Sequence, residues 1–117
     1  FGGLYLTNIV LQNFTVNLGL NGVSDVAGLP IMCLCLFIFG LITMPLSNGY
    51  SRYLERQADR FALDSTQKAD AFIESMKKLA KLNMSDMSPP RWIEILLYDH
   101  PAIERRIEMA AEWKEIA

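Results

Sequence analysis

The stretch Ser47–Leu63, SNGYSRYLERQADRFAL, carries the clearest polar pattern in the chain. It has no Gly or Pro after Gly49 and is rich in Leu, Arg, Ala, Glu and Gln, so a helix is predicted. At about 100° per residue, Asn48, Arg52, Glu55 and Asp59 fall on one narrow stripe. Tyr50, Tyr53, Leu54 and Phe61 fall on the opposite side. Periodicity alone allows this stripe to be a solvated face, with Glu55 and Asp59 turned to water and flanked by Arg56 and Arg60.

The pattern upstream is different. Leu29–Leu46, LPIMCLCLFIFGLITMPL, is uncharged and strongly apolar. Extended to Ala27 and Tyr50 it reaches the ~20 residues that a transmembrane helix needs. A buried core helix has the same composition, but a chain this short could hardly bury such a run on all sides. Pro30 sits near the start, where Pro is tolerated, and Pro45 near the end, where it can kink the helix. No basic residue precedes the run, so it does not read as a cleaved signal peptide.

Phe1–Leu20 is also uncharged but carries Thr7, Asn8, Gln12, Asn13, Thr15 and Asn17. Asn8, Gln12 and Thr15 share one helical face, which in a membrane would meet protein or a water-filled cavity. Asn21-Gly22 and Ser24-Asp25 are turn signals. The expectation for residues 1–46 is a membrane-associated helical hairpin. Asn13-Phe14-Thr15 fits the glycosylation pattern, but inside an apolar run it reads as coincidence.

Downstream the chain has a soluble character. Ser65 or Thr66 is expected to cap a helix running to Asn83, with Phe72, Met76, Leu79 and Leu82 on one face. Met84–Pro90 reads as a loop. Ser88-Pro89 reads as a cap followed by Pro at the first helical position, opening a short helix through Trp92, Ile95 and Leu96. His100-Pro101 is expected to open a last helix to Ile116, with Ile103, Ile107, Ala110 and Ala111 inward. No strand pattern or internal repeat is present. The fold class is all-α, with four helices in residues 47–117 behind the hairpin.

Charge sharpens this division. Of 117 residues the net charge is -2, and no basic patch is dense enough for nucleic acid. Asp25 is the only Asp, Glu, Lys, Arg or His before Arg52. Arg52, Arg56 and Arg60 directly follow the apolar run, which by the positive-inside rule places that end in the cytoplasm. Cys33 and Cys35 point about 200° apart on a helix, so they can neither share a metal nor close an easy disulfide. The chain starts with Phe1, which points to a fragment.

Two motifs carry candidate chemistry. Asn48-x-x-Ser51-Arg52-x-x-Glu55-x-x-Ala58-Asp59 resembles a signature of the CAAX prenyl protease family, membrane zinc metallopeptidases related to the heat-shock protease HtpX. Tyr98-Asp99-His100-Pro101 followed by Arg106 resembles that family's second C-terminal signature, in which Ser is usual at the Asp99 position. The resemblance runs from Leu20 to about Trp113. It implies a zinc metalloendopeptidase of the bacterial cytoplasmic membrane, with the C-terminal part cytoplasmic and a peptide or membrane-protein substrate. It implies that Glu55 is the third zinc ligand and that Asp59 orients a ligating His. His100 would donate to the developing oxyanion, Arg106 would hold carboxylates in place, and Asn48 and Arg52 would lie beside the same site.

The family's His-Glu-x-x-His signature is absent. The chain has one His, so it cannot supply two His ligands, and by itself it is not expected to be active. It therefore reads as a C-terminal portion of a zinc peptidase. The rival reading is a membrane-anchored helical interaction protein without catalysis, in which Glu55 and Asp59 are only a wet face.

Overall fold

The computed structural model describes residues 1–84 and 86–117, and every described element is helical. The helices are α1 (Gly2–Phe14), α2 (Leu29–Thr66), α3 (Ala69–Asn83), α4 (Arg91–Leu97) and α5 (Ile103–Ile116), with one 3-10 turn at Val26–Gly28. They divide into two compact units, Phe1–Met44 and Pro45–Ala117, and the division falls within α2 at Pro45.

In the first unit α1 packs antiparallel on the start of α2. Gly3 lies so close to Phe39 and Leu36 that an added Cβ would come within 3.0 and 3.1 Å of their side chains. At the other end Leu11 is buried against Gly28. Thr7 is buried and donates its hydroxyl to the Gly3 carbonyl, so no polar group is stranded. Asn8 and Gln12 are exposed, and Asn13 and Thr15 bond back to the Ile9 and Leu11 carbonyls. α1 ends at Phe14, and a turn with Gly19 in the left-handed region follows. Asp25 closes the connection by accepting from the Asn21 and Ala27 backbone N–H groups. These bonds favour the carboxylate and hold its pKa below the ordinary range.

The second unit is built round Leu63, Ala69 and Ala110, with Phe72, Ile73, Met109 and Trp113 packed on them. Alanine on both α3 and α5 lets the helices approach closely. Trp113 donates its indole N–H to Asp64, and Lys114 pairs with Asp70.

Several boundaries differ from expectation. Ser65 and Thr66 do not cap α3; they are the end of α2. Gln67 adopts a left-handed φ of 54° and α3 starts two residues later. α4 starts at Arg91, not at Pro89. A residue before Pro is pushed towards extended backbone, so Pro89 cannot open a helix in front of Pro90. α5 starts at Ile103, because Pro101 and Ala102 stay out of the helix. Leu79, Leu82 and Ala111 are exposed rather than inward. Ser85, within the expected Met84–Pro90 loop, lies outside the described residues.

Candidate active site

The segment Tyr98–Ala102, which joins α4 to α5, is held at both ends by side chains. At its start the last carbonyls of α4 need partners that the helix cannot supply. Arg52 on α2 donates through one nitrogen to the carbonyls of Glu94 (2.9 Å), Ile95 (3.2 Å) and Tyr98 (2.6 Å). Asn48, one turn earlier, donates to the Leu96 carbonyl at 2.9 Å. A cation at a helix C-terminus is also favoured by the helix dipole. Asn48 and Arg52 thus cap α4, and neither lines the cleft described below.

At the other end Glu94 reaches across. One carboxylate oxygen accepts from the Ala102 backbone N–H (3.1 Å) and the other from Arg105 Nε (2.7 Å). Glu94 is only 5% exposed. Burial alone would raise its pKa. The Ala102 N–H and the Arg105 guanidinium, with Arg91 adding, outweigh that and hold the carboxyl below the ordinary glutamate range. The chemical patterns of the sequence did not single out Glu94. The signal was there: it is the one acid in the apolar run Trp92–Leu97 of a short helix.

Between these anchors the chain presents His100 towards α2. His100 Nδ1 lies 3.1 Å from Glu55 Oε1. A carboxylate only accepts, so the proton of this contact sits on Nδ1. Nε2 lies 3.5 Å from Asp99. Arg106, one turn into α5, donates from Nε and Nη2 to the two oxygens of Asp59, at 2.7 and 2.6 Å. The same Nη2 lies 3.5 Å from Glu55 Oε2. Asp59 and Arg52 are 5% and 8% exposed, so that part of the polar stripe of α2 faces the interior of this unit, while Glu55 between them is partly exposed.

The structure therefore gathers Glu55, Asp59, His100 and Arg106, and leaves Asn48 and Arg52 at the end of α4. Glu55, His100 and Arg106 line an open cleft of about 610 Å³. Both carboxylate oxygens of Asp59 are taken by Arg106.

A metal tests this arrangement. Glu55 offers a partly exposed carboxylate with a guanidinium beside it, which keeps the group oriented. Among the described residues no three His, Cys, Asp or Glu side chains come together as a metal-binding group. The donors present fit one corner of a zinc site and not the whole of it.

The chain matches peptidase family M48 over residues 3–114 and belongs to that family. It is 33% identical over 91 residues to an uncharacterized metalloprotease, YhfN, of Bacillus subtilis (strain 168). That match covers 78% of this chain and 21% of the relative, so the chain spans about a fifth of the length of the curated protein it resembles. No solved structure matches the chain.

Proposed function

We propose that the chain forms part of the active site of a membrane-bound zinc metalloendopeptidase of the CAAX prenyl protease and HtpX type. The observation that carries this reading is the cluster in the cleft: Glu55 held between His100 and Arg106, with Arg106 locked on buried Asp59. Glu55 would supply one zinc ligand, and the other ligands would come from polypeptide outside these 117 residues. Without them the chain would not hydrolyse peptides. Bound zinc would polarise the scissile carbonyl and lower the pKa of its water to about 7.

The chain's own residues have separate tasks. Arg106 neutralises and orients the Asp59 and Glu55 carboxylates. Asp59 orients Arg106 through two parallel bonds, which fixes the guanidinium plane. His100 is 59% exposed, so its ring can turn from Glu55 to a substrate carbonyl and donate to the oxyanion. Arg52, Asn48 and Glu94 position the segment that carries His100. The substrate class is a peptide or a membrane protein.

Membrane attachment is the second part of the proposal. α2 belongs to the one helix among the described residues that is long and apolar enough to cross a membrane. Leu34, Phe37, Ile38, Leu41 and Ile42 are exposed along it, as lipid-facing residues would be. The arginines after the apolar run support an orientation with residues 52 onward on the cytoplasmic side of a bacterial membrane.

Measuring bound zinc and turnover together on the intact encoded protein tests the site. Glu55→Ala is expected to lose both. Asp59→Ala loses about 10–100-fold in affinity or activity, as for a group that supports a ligand. His100→Ala keeps its zinc and loses about 10²–10³ in kcat. A Glu55→Ala protein that retains zinc and turnover would end this reading.

A further inference from the structure

α4 presents an apolar face outside the cleft. Trp92, Ile95 and Leu96 are exposed, Trp92 at 63%, and none of the three lines the cleft beside Glu55. Spacings of three and four residues put them on one side of the helix. Glu94, the acid of α4, is buried on another side, against Ala102 and Arg105. Exposed apolar side chains forgo the stabilisation that leaving water would bring.

What covers this face follows from where α4 is held. Asn48 donates to the Leu96 carbonyl, and Arg52 donates to those of Glu94, Ile95 and Tyr98. Both donors sit where the apolar run of α2 ends, between Leu46 and the first arginine. At 1.5 Å per residue, Asn48 is about 3 Å and Arg52 about 9 Å beyond Leu46 along the helix. The headgroup layer on each side of a bilayer is about 5–8 Å thick. α4 is thus fastened to the stretch of α2 that lies in this layer when the run crosses a membrane. Tyr50 and Tyr53 are exposed on the same stretch, and Tyr favours that boundary. The Leu96 carbonyl meets the donor nearer the run, and the Glu94 carbonyl meets the farther one.

We infer that α4 lies in the membrane–water interface and seats Trp92, Ile95 and Leu96 between the lipid headgroups and the start of the acyl chains. The occupant of the face is the bilayer that α2 crosses. The inference rests on the membrane reading above and deepens it, since the chain then touches the membrane a second time, well after its apolar run. An interfacial helix buries its apolar face about 5–10 Å into this boundary. Trp suits the site because its ring is apolar while its N–H finds a partner at the wet edge. Arg91, exposed at the start of α4, supplies a charge that lipid phosphates attract.

The test uses the intact encoded protein in vesicles of mixed phosphatidylcholine and phosphatidylglycerol. Trp92→Cys and Leu96→Cys, each in a background with all other cysteines replaced by Ser, carry a nitroxide spin label. Its collisions with oxygen, which concentrates in lipid, are compared with its collisions with a water-soluble nickel chelate. Phe37→Cys, at an exposed site on the apolar run, marks lipid. Phe61→Cys, at an exposed site about 22 Å beyond Leu46 on α2, marks water. Labels at 92 and 96 are expected to give oxygen-to-nickel ratios several-fold above that at 61 and below that at 37. Ratios equal to that at 61 overturn the inference and leave the span standing. Labels that meet neither reagent show that protein, either the rest of the chain or a second copy, covers the face, and overturn the inference as well. A label at 37 that meets nickel as freely as the label at 61 overturns both the inference and the membrane reading beneath it.

Discussion

Removing the Arg52 side chain should loosen the segment that carries His100, and the size of the effect can be worked from its bonds. One guanidinium nitrogen faces three carbonyls, those of Glu94, Ile95 and Tyr98. It has only two hydrogens, so two bonds exist at any moment and the third acceptor shares. A hydrogen bond to a charged group contributes about 1.5–3 kcal/mol net. Water can reach some of the freed carbonyls in the variant, so the lower end applies to each, and Arg52→Ala should cost about 3 kcal/mol. α4 is seven residues long and cannot hold itself helical, so the loss should appear as local opening. At 1.4 kcal/mol per factor of ten, amide hydrogens in residues 91–100 should exchange about 100-fold faster. Hydrogen–deuterium exchange read by mass spectrometry measures this peptide by peptide. Arg52→Lys keeps the charge but not the planar fork, and should restore only part of the protection. Unchanged exchange in Arg52→Ala, or complete rescue by Lys, would refute the capping account.

Three further outcomes are expected. Arg106→Met leaves Asp59 buried and unpaired and should destabilise by about 3–5 kcal/mol, whereas Arg106→Met with Asp59→Leu should be milder than Arg106→Met alone, as denaturant titration would record. Glu94 has a folded pKa below its unfolded value, so its stabilisation is present above about pH 4.5 and is lost as pH falls through the lower folded value; Glu94→Gln should remove that part of the acid dependence, seen in stability curves from about pH 7 to about pH 3. In cells, Arg56→Cys in a background of Cys33→Ser and Cys35→Ser should react with a thiol reagent only from the cytoplasmic side, and labelling only from outside would reverse the proposed orientation.

The all-helical class was legible because periodicity and the apolar run dominate the sequence and no alternating stretch competes. The long-range polar contacts were not legible. Arg52 and Asn48 reach carbonyls more than forty residues away, and a backbone acceptor leaves no residue type to find. The starts of α3 and α4 differ from expectation for local reasons, and that of α5 because the N–H of its cap residue, Ala102, is engaged by Glu94 of α4. Thr66 donates its hydroxyl back to the Ala62 carbonyl within α2, although it also lies near the Lys68 N–H. Ala102 stays extended, with ψ of 141°, and its N–H is spent on Glu94. Family resemblance supplied Glu55, Asp59, His100 and Arg106 as a group, whereas their pairing, Arg106 with Asp59 and His100 with Glu55, required coordinates.

The direction in which α2 turns its faces follows from the cluster. A surface helix normally turns its apolar stripe inward, and Tyr50, Tyr53, Leu54 and Phe61 would each contribute roughly 1.5–3 kcal/mol on full burial. All four are exposed, while Arg52 and Asp59 are buried. The inversion is tolerable only because each buried charge has its partners: Arg52 has the α4 carbonyls, and Asp59 has both donors of Arg106. Glu55 must face the cleft to meet His100 and Arg106, and on a helix its neighbours one turn away must face the same side. Placing Glu55 at the cleft therefore turns Arg52 and Asp59 inward as well, and the capping and ion pairing they make are what allow that helix face to be polar and buried at once.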